Sequence, residues 1–449
     1  MATKSTEFTM YDKIIDIPHE LKEFVKNETY SLLIKGSTGT GKTTLALTIL
    51  RTLDTKNFFY ISTRNSPKQL LNYYPWLSKF VKGSEMNRNY SNQDDQYEYA
   101  CFEDARLDEP ESLFERITNQ LMDVKTPIII VDSWDSVASL MDNEARLNNE
   151  RVLQTWRERA GAKLIFTTEG VYESSLQYLV DGVVELSYFY SDEVRLRELR
   201  LIKLRGIRIK RASYIFSLAG GILRCYDSYH PIEYKLLWNQ SKIIKNYSLK
   251  NNLREIEHPD LDILLSGLVS EGLLVIEKDN ILTSDIIYLF LLKIISKLLA
   301  ENHAVIIDSS ISETLNSKLS IIGEKAKYKI GIINLRKDKE SKHDQTSSVD
   351  DLLRDFKETK CNIALVLNNK SNDIYGSYDF SKFQNQGIKL IIIIREKTNS
   401  NVYPENADLY LKFVLLSGSV FLKSICPTSH MFGIRLRLPE CEIDFELLL

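Results

Sequence analysis

Eight consecutive residues constrain this chain more than any others. Gly36-Ser37-Thr38-Gly39-Thr40-Gly41-Lys42-Thr43 fit the pattern G-x-x-x-x-G-K-[ST]. Only 18 of the 449 residues are glycine, so three of them between Gly36 and Gly41 mark a tight backbone curl. Tyr30–Lys35 before it (YSLLIK) reads as a buried strand, and Leu45–Leu53 after it has helical character. A glycine-rich turn in that setting aims successive N–H groups at one anion, and the helix N-terminus adds its positive dipole end. The expected nucleotide-binding residues are therefore Gly36, Ser37, Thr38, Gly39, Thr40, Gly41, Lys42, Thr43 and Thr44. Lys42 would reach the β- and γ-phosphates, and the Thr43 hydroxyl would ligate Mg2+. Asp132 closes the apolar run PIIIVD and is expected as the second Mg2+-side group.

The rest of the chain supplies a frame for that motif. Cores stop growing near ~250–300 residues, so a chain of this length divides into two or three domains. The first half alternates helical stretches with strands at Tyr30–Lys35, Asn57–Ser62, Pro127–Asp132, Lys163–Thr167 and Gly182–Leu186. Ser66–Lys79, Leu113–Met122 and Ala145–Ala160 read as helices, and residues 84–100 and 336–350 as polar loops. The second half repeats the style at Gly272–Ile276, Ala304–Asp308, Tyr328–Ile333, Ile363–Leu367 and Lys389–Ile394. Continuous β-branched runs separated by helices define a parallel α/β sheet. There is also an internal echo. Lys163-Leu164-Ile165 precede Glu169 and Asp181, and Lys389-Leu390-Ile391 precede Glu396 and Asp408 in the same order. Two copies of one α/β unit are expected: residues 1–229, a connector at 230–257 containing a helix, and residues 258–449.

Charge and cysteine usage exclude several classes. The net charge is −3, so nucleic-acid binding would need a local patch. One candidate exists, Arg195–Arg211 (RLRELRLIKLRGIRIKR), whose apolar residues take strand positions. It can be an edge strand protected by charge, a nucleic-acid track, or a set of cations for phosphates on a neighbouring subunit. Five widely spaced cysteines without a CxxC pair argue against a zinc site or disulfide framework, and for a reducing, cytoplasmic setting. The most apolar stretch, Ile286–Ala300, carries Lys293 and Lys297 and is too short to span a bilayer, so a buried helix and no membrane partner are expected.

At this point the residues carry a family. The runs IPHELKEF, YSLLIKGSTGTGKTTLAL, YISTRNSP, IIIVDSWDSVA, KLIFTTE, LVDGVVEL and KLRG, in this order, resemble the archaeal branch of the RecA superfamily that holds KaiC-like and GvpD-like ATPases. The likeness covers residues 13–226, and the basic stretch with the following Tyr214-Ile215-Phe216 and GGIL is most similar to GvpD proteins. It implies two tandem RecA-like P-loop domains, with ATP at the strand C-terminal edge of the first. It also implies a homo-oligomeric ring or filament in which Lys203 and Arg205 reach the γ-phosphate of the adjacent subunit. The resemblance supports an ATP-binding regulatory protein that controls a partner protein or transcription. The alternatives are a recombination or repair accessory binding DNA along Arg195–Arg211, and a scaffolding protein in which bound ATP is structural.

Two departures from the family pattern bear on chemistry. In the second half, aligning IEKD places Lys278 for the first glycine, Thr283 for the second, Ser284 for the lysine and Asp285 for the threonine. Asn368 stands where Asp132 stands in the first half. Asp285 would repel a triphosphate with no lysine to offset it, so the second domain is expected to be nucleotide-free. In the first half, the second strand continues Ile61-Ser62-Thr63-Arg64-Asn65, without the glutamate that polarises water in active relatives. Arg64 can contact a phosphate but does not deprotonate. A slow ATPase or a nucleotide-gated switch is therefore expected rather than a fast motor, with Glu169 and Asp132 the acids left to substitute for that glutamate.

Overall fold

Apolar runs such as Ile128–Val131 and Leu273–Ile276 have no polar face, so strands built from them must be covered on both sides. The computed structural model bears this out. It describes residues 16–55, 57–78, 100–106, 126–169, 176–191, 194–239, 272–300, 303–308, 330–333, 362–369, 388–396, 407–426, 430–437 and 442–448, with isolated positions between them. The helix expected at 113–122, the loop at 336–350, nearly all of the loop at 84–100 and the connector beyond 239 lie outside these residues. The chain divides at Tyr226 into two compact units.

The first unit runs α1 (His19–Val25), β1 (Tyr30–Gly36), α2 (Lys42–Leu53), β2 (Phe58–Ser62), α3 (Pro67–Tyr73), β3 (Ala100–Asp104), β4 (Ile128–Asp132), α4 (Trp134–Ala138), α5 (Asn143–Ala160), β5 (Lys163–Thr168), α6 (Leu176–Leu179), β6 (Gly182–Ser191), β7 (Val194–Leu204), β8 (Ser213–Ser217) and β9 (Arg224–Cys225). Its sheet has the order β3-β2-β4-β5-β1-β6-β7-β8-β9. Pairings from β3 to β6 are parallel, and β8 is antiparallel to both β7 and β9. Strand side chains alternate between two cores. Leu32, Ile34, Tyr60, Ile130 and Ile165 pack with Leu21 and Phe24 of α1 and Leu45 and Ile49 of α2. Leu33, Ile61, Ile129, Val131 and Phe166 pack with Trp134 of α4 and Leu153 of α5.

Three local expectations change. The helix expected over Ser66–Lys79 ends at Tyr73: Ser66 and Gln69 form a capping box at its start, but Pro75 disfavours helical backbone at Tyr74. The strand β3 lies where the loop at 84–100 was expected to end. β7 is interior, between β6 and β8, so its arginines do not guard an edge.

The second unit contains α7 (Pro231–Asn239), β10 (Gly272–Lys278), α8 (Asp285–Ala300), β11 (His303–Asp308), β12 (Ile330–Ile333), β13 (Asn362–Asn369), β14 (Ile388–Glu396), β15 (Leu409–Leu416), β16 (Ser419–Cys426), β17 (His430–Arg437) and β18 (Glu442–Leu447). Its order, β12-β11-β13-β14-β10-β15-β16-β17-β18, repeats that of the first unit strand for strand. The ladders give a residue-level match. Leu32 lies opposite Ile165 and Gly182, as Leu274 lies opposite Ile392 and Leu409. Carried along the strands, this register equates Gly36 with Lys278, Glu169 with Glu396 and Asp132 with Asn368. α8 is the buried helix expected at 286–300, and among the described residues no helix is long and apolar enough to cross a membrane.

The echo of Asp181 and Asp408 has a structural cause. Asp181 N–H donates to Ser31 O at 3.0 Å, and Ser31 N–H donates to Asp181 Oδ2 at 3.0 Å. Asp408 N–H donates to Leu273 O at 3.0 Å and Leu273 N–H to Asp408 Oδ2 at 2.8 Å, the same clasp on the central strand of the other sheet. Asp181 also accepts from the buried side of Arg157. Asp181→Ala would take away the carboxylate that Ser31 N–H and Arg157 Nη1 share, and should lower stability by about 1–3 kcal/mol. A lower urea midpoint with an unchanged slope is the expected measurement.

Candidate functional site

β1 ends at Gly36, and the chain curls through residues 37–41 into α2. Thr40 N–H and Oγ1 both donate to Ser37 O, at 3.4 and 2.8 Å, closing the turn. Gly41 has φ +104°, and a Cβ there would lie 3.1 Å from Leu218 Cδ1, so glycine alone seats the helix start against Leu218. At Gly36 a Cβ would lie 2.4 Å from Leu186 O. Lys42 is buried, and its Nζ donates to Gly36 O at 2.8 Å and Ser37 O at 3.0 Å. Burial pushes its pKa down, while the charges of Glu169 and Asp132 pull it up. Thr44, the last residue of the expected set, sets its hydroxyl 3.0 Å from Tyr74 OH.

Asp132 is brought to this loop by β4. Its Oδ2 accepts from Thr43 Oγ1 at 2.7 Å and Tyr60 OH at 2.5 Å, and its Oδ1 from Thr167 Oγ1 at 2.5 Å. Burial and the charge of Asp132 raise the Tyr60 phenol well above 10.0, so it stays a donor. A hydroxyl and a carboxylate side by side, next to a turn that fits phosphates, match the hard oxygen donors that Mg2+ takes together with substrate phosphates. Thr43 and Asp132 are thus the residues that would hold the ion.

A second cluster faces the same loop. Glu169, just beyond β5, has its N–H on Asp135 Oδ2 at 2.5 Å. Its Oε1 accepts from Thr38 Oγ1 at 3.2 Å and pairs with Arg64 Nη1 at 2.5 Å. The Arg64 hydrogen bond holds the Glu169 carboxyl below its ordinary value, and burial raises that of Asp135. The sequence pointed to Arg64 and Glu169 separately but not to their pairing. Tyr60 and Thr167 were not singled out, because each sits inside a run that reads as plain strand.

The basic stretch is spread over both edges of the sheet. Arg195 lies 4.0 Å over the Tyr188 ring, and its Nη2 donates to Gly39 O at 3.3 Å, at the phosphate loop. Lys203 Nζ donates to Val180 O at 2.5 Å and Arg205 Nη1 to Asp181 Oδ1 at 2.8 Å. Asp181 is clasped to Ser31 at the start of β1, so Lys203 and Arg205 sit at the opposite edge from the loop, roughly 15–20 Å along the strand. The structure does not bring them to their own phosphate loop.

The second unit has no such cradle at the equivalent turn. Lys278 replaces Gly36, is buried, and sends Nζ to Leu282 O at 3.2 Å and Glu396 Oε1 at 3.2 Å. Asp285 occupies the first turn of α8, whereas the first turn of α2 has no acidic residue.

Strand, curled loop and helix, with the Asp132 carboxylate on Thr43, together define a P-loop nucleotide-binding domain. A family model described as "GvpD gas vesicle protein, P-loop domain" matches residues 21–204, within the first unit. Protein GvpD1 of Halobacterium salinarum is 32% identical over 231 residues, covering 47% of this chain and 41% of the relative. Protein GvpD2 of the same organism is 26% identical over 279 residues, covering 58% of this chain and 54% of the relative. The matches thus span about half the length of these curated relatives.

The lowered Glu169 pKa fixes a pH dependence. A depressed carboxyl stabilises the folded chain fully above its ordinary value of 4.5, and that contribution is lost as pH falls through the lowered pKa. A 13C NMR titration of the Glu169 carboxyl should show a midpoint below 4.5 that returns upward in Arg64→Gln.

Proposed function

We propose that this chain is a nucleotide-binding regulator acting in gas vesicle formation, with ATP and Mg2+ held by the first unit alone. The observation that carries this is the convergence of Lys42, Thr43 and Asp132 on a phosphate-fitting turn, within a domain that matches the GvpD type. Gly36, Ser37, Thr38, Gly39, Thr40, Gly41 and Lys42 would surround the phosphates, with Thr43 and Asp132 holding the ion. Thr44 would add its backbone N–H at the helix start.

The unit boundaries proposed are residues 1–229, a connector at 230–257 and a second, nucleotide-free domain at 258–449. Two features of the second domain support this. Asp285 already complements the dipole of α8, which the first unit leaves to a bound anion. Lys278 lies across the turn that would have to curl around a phosphate. Lys203 and Arg205, far from their own loop, are suited to a nucleotide on a neighbouring copy, in a ring or filament. Arg195 and Arg211, at the two ends of the basic stretch, donate to Gly39 O and Ser213 O, which weighs against an open DNA track.

Two measurements test this. Equilibrium dialysis of the full chain should find one ATP per chain, and none for Lys42→Ala. Two ATP per chain would place a working site in the second unit. Light scattering with ATP should show a larger assembly for the wild type than for Arg205→Ala; identical assembly would remove the role toward a neighbouring subunit.

A further inference from the structure

The Arg64–Glu169 pair stands directly at the mouth of the phosphate loop. Glu169 is anchored at its backbone by Asp135 and at its side chain by Thr38, a residue of the loop itself. Arg64 comes from the turn after β2 and meets Glu169 at 2.5 Å. Thr38 and Thr43 bind Glu169 and Asp132 directly, so these two acids border one volume at the loop, and the charges of Glu169, Asp132, Arg64 and Asp135 all act on Lys42. Arg64 is 45% exposed and Glu169 23%, so both side chains can exchange partners without opening the core.

A terminal phosphate entering that volume changes the balance. It would bring negative charge to the place where Glu169 already carries one, and the two would compete for Arg64. A guanidinium binds either by charge-assisted hydrogen bonds, and phosphate offers more charge and more oxygens than carboxylate. A diphosphate, ending short of Lys42's far side, leaves the existing pair intact.

We propose that Arg64 and Glu169 form a triphosphate-sensing pair, in which Arg64 exchanges Glu169 for the terminal phosphate and the released Glu169 accepts the proton of the attacking water. This rests on the nucleotide reading of the phosphate loop given above. The water oxygen forms a bond to the γ-phosphorus. The bond from that phosphorus to the bridging oxygen breaks, and its electron pair leaves with the diphosphate. The water proton passes to Glu169 and then to the released inorganic phosphate. Thus the acid missing after the second strand is supplied by the end of β5, and the arginine that took its place decides when that acid is free. The proposal makes Arg64 a specificity residue and Glu169 a catalytic residue.

The test uses the full chain, fluorescent ATP and ADP analogues with Mg2+, and single-turnover hydrolysis. Arg64→Ala should weaken ATP about tenfold more than ADP, since a hydrogen bond between charged groups is lost only with the triphosphate. Arg64→Lys should restore part of that preference, which a merely structural arginine would not. Glu169→Gln should keep ATP binding and lower single-turnover hydrolysis about 100-fold, the scale of a lost general base. Equal weakening of ATP and ADP by Arg64→Ala overturns the sensing role. Wild-type hydrolysis in Glu169→Gln, or ATP held by the wild type without cleavage, overturns the role of Glu169. A wild-type chain that binds neither nucleotide overturns the nucleotide reading itself, and is thereby distinguished from failure of the pair.

Discussion

Asp132 is a carboxylate held in a nearly closed place, 7% exposed, and a buried carboxylate persists only with donors around it. Tyr60, Thr167 and Thr43 are those donors. The first two arrive on neighbouring strands and the third on the helix that follows the phosphate loop. One buried charge therefore sets β2, β5 and α2 relative to β4. The loop residues take their positions from that arrangement, since Thr43 is bound to Asp132 and Lys42 precedes it in the same helical turn.

The second unit keeps the frame and replaces the site. Where Asp132 stands in the first unit the ladder places Asn368, and where Gly36 stands it places Lys278. Charges on the central strand change sign as well. Lys35 faces Glu185 across β1 and β6, but Glu277 faces Lys412 across β10 and β15, at 2.9 Å. Glu277 also binds Arg395 at 2.7 Å and Tyr410 OH at 2.5 Å. The central strand of the second unit is thus tied to both its neighbours by charged contacts of its own. Such a closed cluster gives geometric definition more than net stability, since burying charges offsets much of their attraction.

Much of this was legible in the residues. The spacing of Gly36, Gly41, Lys42 and Thr43 needs no tertiary context, because backbone and local sequence build the turn. Asp132 could be read because it ends an apolar run, and the duplication because Asp181 and Asp408 perform the same clasp. Tyr60 and Thr167 were not legible. They match strand propensity whether or not a carboxylate lies opposite, and only the register of β2, β4 and β5 reveals it. The short α3 needed the weight of Pro75 against a longer helical pattern. The strands from β15 to β18 were not read, although β15 (LYLKFVLL) is itself almost wholly apolar. The place of Lys203 and Arg205 follows from the clasp of Asp181 to Ser31, a long-range contact that spacing cannot encode.

β7 has a mechanical consequence. One end carries Arg195 on the carbonyl of Gly39, and the other leads through Lys203 to Arg205 at the far rim. It is a single strut of 11 residues with neighbours on both sides. Its length is set by the covalent rise of an extended chain rather than by side-chain packing. Softening either core leaves the separation of its two ends unchanged, and a sliding ladder would have to turn every side chain to the wrong face. The loop and the rim are therefore held at a fixed spacing by the backbone itself.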